Sequence, residues 1–124
     1  QTVADSVYVA PAVADYAVRV VLATREPAAH GLPELAPLIE WGASPRATLG
    51  LVAGGRALAL LRGRAYVLPQ DIFDIAPDVL RHRLVPTYEA LAQGLAVEQL
   101  LARLLSTIPA PVVAPSQDPT AAFR

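Results

Sequence analysis

Apolar residues recur along most of this chain at helical spacing. Val13, Tyr16, Ala17, Val20, Val21 and Thr24 follow the i, i+3, i+4, i+7 rhythm of one helix face, which predicts an amphipathic helix over about residues 11–25. Pro11 suits its first turn, and Arg25 places a cation at its negative end. A second stripe, Ala47, Leu51, Val52, Leu58 and Leu61, predicts a helix from Pro45 to about Arg62. Gly50, Gly54 and Gly55 fall inside it, each at a cost of about 1 kcal/mol relative to alanine. That cost argues for close approach by a neighbouring helix, with a kink or local mobility as the alternative. Gly63 fits the position just past the helix end. Ile72, Ile75, Ala76, Val79 and Leu80 predict a third helix opened by Pro69, and Pro77 within it predicts either a kink or two short helices meeting there. Tyr88–Gln93 reads as a short helix before Gly94. Val97, Leu100, Leu101, Leu104 and Leu105 carry the last one, over about 97–107.

The remaining segments are extended or irregular. Tyr8-Val9-Ala10-Pro11 and Tyr66-Val67-Leu68-Pro69 share one layout, a short β-prone piece followed by a proline that opens a helix, and two such pieces suit pairing as a small sheet. Pro27, Gly31, Pro33 and Pro37 make residues 26–43 mostly loop, with one helical turn around Glu34–Glu40. Residues 84–88 read as extended or turn-like around Pro86. The expected fold class is therefore all-α, a small helical bundle over residues 1–108 with room for a minor short β pairing. Residues 109–124, marked by Pro109, Pro111, Pro115 and Pro119, are expected to form a disordered Pro-rich tail.

Composition narrows the chemistry mainly by what is missing. The chain has 124 residues, 54% hydrophobic and 17% charged, with a net charge of −1, which fits one globular domain and does not ask for nucleic acid or an anionic membrane surface. No apolar run reaches membrane-spanning length, so a soluble chain is expected. Without cysteine there is no disulfide, thiolate nucleophile or cysteine-ligated metal. Without lysine there is neither a Walker A loop nor a Schiff base. His30 and His82 have no partners at metal-ligand spacing, so no metal site is expected. Ser6, Ser44, Ser106 and Ser116 lack a nucleophile-elbow context. No catalytic residue is expected in the chain. It begins at Gln1 and contains no methionine, which leads us to expect a fragment or processed product of something larger.

One motif places a cation where helix electrostatics disfavours it. In Gly42-Ala43-Ser44-Pro45-Arg46-Ala47, Ser44 suits an N-cap, Pro45 the first helical position, and Arg46 then falls in the first turn at the positive end of the dipole. Free N–H groups beside a guanidinium make a phosphate site, and a solvated arginine is the alternative. Arg81-His82-Arg83 at the end of the third helix either complement its dipole or contact phosphate or a neighbouring subunit. Arg62 and Arg64 around Gly63 read as a solvated turn. Trp41 reads as a hydrophobic anchor for the entry of the second helix, and Thr24-Arg25 as either a satisfied cap or part of a binding surface.

Four of these segments together resemble one family. Val9…Tyr16…Ala23-Thr24-Arg25, then Gly42-Ala43-Ser44-Pro45-Arg46-Ala47, then Gly63 through Asp71, then Val79-Leu80-Arg81-His82-Arg83-Leu84 are similar, in that order, to the C-terminal lid subdomain of MoxR-type AAA+ ATPases. The resemblance runs from about Val7 to Pro111. It implies a helical bundle packed over the nucleotide pocket of a larger α/β core. It gives Arg46 the sensor 2 role, contacting the terminal phosphate of ATP, with Ser44 and Pro45 forming the helix start. It also implies ATP with Mg in the full-length protein, a cytoplasmic ring of subunits, chaperone-like remodelling or metalloenzyme maturation, and partners carrying von Willebrand factor A domains. Walker A, Walker B and the arginine finger have no counterpart here, so ATP hydrolysis is not expected of this chain alone. The 26–43 loop is longer and richer in proline than is usual for the family. A free-standing helical interaction module is the rival reading. Helix-turn-helix DNA binding is disfavoured by the slightly acidic charge and the lack of a basic recognition helix.

Overall fold

A computed structural model describes residues 6–111. Among the described residues five α-helices carry the fold: α1 (Pro11–Arg25), α2 (Ala47–Leu61), α3 (Pro69–Leu80), α4 (Tyr88–Ala92) and α5 (Val97–Thr107). Between α1 and α2 run two 3₁₀ segments, Pro27–His30 and Pro33–Leu38, and a strand, β1 (Ile39–Trp41). This strand pairs antiparallel with β2 (Val85–Pro86), with Trp41 opposite Val85. The all-α reading holds, and the minor β element is present. Tyr8 and Tyr66 also form an isolated parallel bridge, Tyr8 N–H donating to the Ala65 carbonyl at 2.9 Å and Val67 N–H to the Tyr8 carbonyl at 2.9 Å. The tail expected over 109–124 lies, beyond Pro111, outside the described residues.

The core follows the helical stripes. All six apolar-face positions of α1, from Val13 to Thr24, are buried. Tyr16 is wholly enclosed, with the Arg19 guanidinium 5.7 Å from its ring centre, and its hydroxyl meets no hydrogen-bond partner. Burial pushes that phenol above its ordinary pKa, against the opposing charge of Arg19. In α2 the buried positions are Ala47, Leu51, Gly55 and Ala59, a strict i+4 series of small residues around one leucine. These small residues let α2 and α3 lie close as an antiparallel hairpin. A Cβ on Gly50 would stand 3.2 Å from Val79 Cγ1, on Gly54 2.9 Å from Ile75 Cγ1, and on Gly55 2.7 Å from Ile72 Cδ1. The glycines serve close packing, and their helix cost is offset by this contact.

Four expectations need correction. Helix α2 begins at Ala47 rather than Pro45, because residues 44–46 form a tighter turn ahead of it. Leu61 is 84% exposed, since it follows the last buried position, Ala59, and turns away from the stripe. Trp41 is 65% exposed and anchors nothing: the two-stranded ribbon turns one face to solvent, and its partner Val85 is exposed too. Pro77 does not split the third helix. It lies in the last turn, where it forfeits one intrahelical bond, while Ile72, Ala76 and Leu80 stay buried along one face.

The hairpin turn between α2 and α3 is also more ordered than a solvated turn. Gly63, at φ +77°, takes the left-handed position past Arg62. Gly63 N–H then donates to the Leu60 carbonyl at 3.0 Å and Arg64 N–H to the Ala59 carbonyl at 2.9 Å, which completes a Schellman motif. This motif presents Arg62 and Arg64 together to Asp71 in the first turn of α3. Asp71 is fully buried and accepts from Arg62 Nη1 at 3.0 Å, Arg64 Nη1 and Nη2 at 2.7 Å each, and its own cap, Leu68 N–H, at 2.8 Å. Arg62 reaches Asp74 as well, at 2.8 Å. Burial raises the Asp71 carboxyl pKa, but the hydrogen bonds from Arg64, Leu68 N–H and Arg62 outweigh it and hold the group below its ordinary value.

Candidate functional site

The approach to Arg46 is built by the end of α1. Thr24 is buried, and its hydroxyl donates to the Val21 carbonyl at 2.6 Å while accepting Ala43 N–H at 3.0 Å. Arg25 Nη1 donates to the Ala43 carbonyl at 3.3 Å. Gly42 passes so close to this helix end that a Cβ would stand 2.6 Å from the Thr24 carbonyl carbon and 2.7 Å from Arg25 Cα. The Thr24-Arg25 pair is thus a clasp for the segment that leads into α2. The sequence leaves its role open, and it marks Gly42 only as part of a motif. No local pattern announces a contact between residues so far apart in the chain.

From the clasped Ala43 the chain makes one turn. Ala47 N–H donates to the Ser44 carbonyl at 2.9 Å, Thr48 N–H to Pro45 at 3.1 Å, and Leu49 N–H to Arg46 at 3.0 Å. The predicted Ser44 cap is not made, and Arg46 itself occupies the N-cap position without a side-chain cap bond. The first helical N–H groups are consequently satisfied by turn carbonyls, so any anion at this end depends on the arginine rather than on free N–H donors. Ser44, Pro45 and Arg46 are all exposed.

The cations of the fold divide sharply by partner. Arg19, Arg62, Arg64, Arg81 and Arg103 each pair with a carboxylate. Arg56 and Arg25 donate to backbone carbonyls. Arg46 and Arg83 have no ion-pair or side-chain hydrogen-bond partner among the described residues, and both are exposed. The Arg81-His82-Arg83 run therefore does not act as a unit. Arg81 is engaged by Asp78, at 3.0 Å, and by Glu98 of α5, while His82 and Arg83 are exposed in the turn after α3. Among the described residues no group of three or more His, Asp or Glu side chains gathers to hold a metal ion. No helix among them is long and apolar enough to cross a membrane.

The model of the AAA lid domain family matches residues 34–104. The chain belongs to that family. This lid is of the MoxR type: it is 50% identical over 113 residues to Chaperone MoxR1 of Mycobacterium tuberculosis, covering 91% of this chain and 30% of that protein. It is 38% identical over 115 residues to Protein MoxR of Paracoccus denitrificans, covering 88% of this chain and 34% of the relative. A crystal structure of a protein assigned as an ATPase in Cytophaga hutchinsonii superposes with a TM-score of 0.85 at 35% identity, over 90% of the lid and 34% of that chain. The lid thus spans about a third of the length of these relatives.

Proposed function

We propose that this chain is the nucleotide-sensing lid of an AAA+ ATPase, with Arg46 contacting the terminal phosphate of ATP as the sensor 2 residue. The observation that carries the reading is an exposed arginine without a partner, held at the head of α2 by a buried clasp. A guanidinium that neutralises no carboxylate is available for bidentate contact with phosphoryl oxygens. A fixed backbone beneath it lets nucleotide state move the lid rather than only the side chain. The described residues fit phosphate but offer no carboxylate cluster for Mg²⁺, so in this reading the ion is held by the ATPase core and the phosphates.

The wider role follows the family resemblance. Arg46 couples ATP to a cytoplasmic ring of subunits that remodels client proteins or matures metalloenzymes with a von Willebrand factor A domain partner. Support comes from the MoxR-type sequence and the chaperone name carried by the mycobacterial relative. The exposed apolar side chains Trp41, Leu49 and Leu61 suit a domain that packs against others. The direct test is Arg46→Ala in the ATPase that contains this lid. We expect turnover to fall by about 10- to 100-fold, in line with loss of a charge-assisted contact to the reacting phosphate, with the urea midpoint unchanged. Wild-type turnover in that variant would sink the assignment.

A further inference from the structure

Among the described residues the two unpartnered arginines lie at the same end of the fold, and two independent contacts place them there. Gly50 of α2 faces Val79 of α3, so the antiparallel hairpin sets Arg46, one turn before Gly50, beside the turn that follows Val79 and contains Arg83. Trp41 pairs with Val85, so the antiparallel ribbon carries Ala43, two residues beyond Trp41, toward Arg83, two residues before Val85. Arg25 reaches the same segment by donating to the Ala43 carbonyl. Arg83 is not on a loose loop. Its N–H donates to the Leu80 carbonyl at 2.9 Å, and buried Leu80 and Leu84 pin the turn on both sides. Glu26 and Glu40, acids close to this end in sequence, form no ion pair with Arg46 or Arg83.

We propose that Arg83 is a second phosphate-binding arginine of the lid, acting with Arg46 on the terminal phosphates of a nucleoside triphosphate. This rests on the nucleotide reading of Arg46 given above and extends it to a residue on a different element. Among the described residues the other arginines are consumed by carboxylates or carbonyls, and neighbouring Arg81 takes up Asp78 and Glu98. Leaving two exposed cations unneutralised at one end, with Arg25 beside them, costs mutual repulsion that a polyphosphate would relieve. Two guanidiniums on two elements of the hairpin also grip a phosphate chain from two sides, which one flexible side chain cannot do.

The experiment measures binding of a slowly hydrolysed ATP analogue and of ADP to the full-length ATPase carrying this lid, as wild type, Arg83→Ala, Arg83→Lys and Arg46→Ala. Subunit assembly is followed in parallel by light scattering. We expect Arg83→Ala to weaken the triphosphate about tenfold, ADP distinctly less, and Arg83→Lys to restore part of the loss. The fold should be untouched, because the Arg83 side chain has no partner to lose. Weakened binding in Arg46→Ala with wild-type binding in Arg83→Ala would overturn this proposal and leave the Arg46 reading standing. Wild-type binding in both would overturn both. Normal triphosphate binding with lost assembly in Arg83→Ala would assign Arg83 to a subunit contact and likewise end the proposal.

Discussion

At the scale of single residues, Gly42 is the most constrained position in the lid. A methyl group there would collide with backbone atoms of Thr24 and Arg25, and backbone cannot swing aside as the tip of a side chain can. Gly54 and Gly55 face isoleucine atoms that have some freedom to shift, so they should tolerate alanine better. We expect Gly42→Ala to cost about 2–4 kcal/mol in urea denaturation of the chain, within the range for overpacking and backbone displacement, and Gly54→Ala roughly half as much. Equal costs would show that the clasp yields. The sequence marks Gly42 only as the first residue of a recognisable motif. Its physical reason is a tertiary contact with residues 24 and 25, which no periodicity within the chain encodes. Arg46 was legible for the opposite reason: a cation at the start of a helix breaks a local electrostatic rule, and the rule can be applied without knowing the fold.

At the scale of elements, the helical stripes are readable because burial repeats with the helix: α1 buries every position that its spacing picks out, while α3 and α5 bury most of theirs and leave Ile75, Val79 and Val97 half-buried against the core. The stripe of α2 departs from its spacing at Leu61 because the closest approach to α3 runs along glycine and alanine rather than along the leucines. Asp71 carries a local signal in the sequence, an acid three positions after the residue that precedes Pro69. That spacing suits an acceptor for the cap N–H, and the contact is made. What the local signal could not reveal is the pair of arginines delivered by the turn around Gly63. Together they tie the end of α2 to the start of α3, and the tie is sensitive to acid. The folded-state carboxyl of Asp71 lies below its ordinary value, so its stabilisation is complete above the unfolded pKa of about 4 and is lost as pH falls through the lower folded value. Asp71→Asn should therefore destabilise the lid by about 2 kcal/mol at neutral pH and flatten the dependence of stability on pH below about 4. A variant whose acid unfolding curve keeps the wild-type slope would show that other carboxylates govern that transition.

At the scale of the whole molecule, charge is distributed unevenly around a near-neutral total. The net charge is −1, yet Arg25, Arg46 and Arg83 lie toward one end without a carboxylate partner, while Asp71 and Asp74 are taken up by Arg62 and Arg64 at the opposite turn and Asp78 and Glu98 by Arg81. In the ATPase carrying this lid, triphosphate affinity should fall as salt rises from about 0.05 to 0.5 M, because exposed cations are screened over a Debye length of about 10 Å or less. The slope should be shallower in Arg83→Ala, and equal slopes would place the charge sensitivity outside the lid. The clasp between Thr24 and Ala43 bears on mechanics as well as placement. A tug on Arg46 travels through two residues of chain to a hydroxyl buried in the last turn of α1, with no slack to take up on the way. Force applied at the Arg46 end is thereby delivered to the longest buried face of the bundle, and the lid should swing as a stiff lever instead of fraying at its tip.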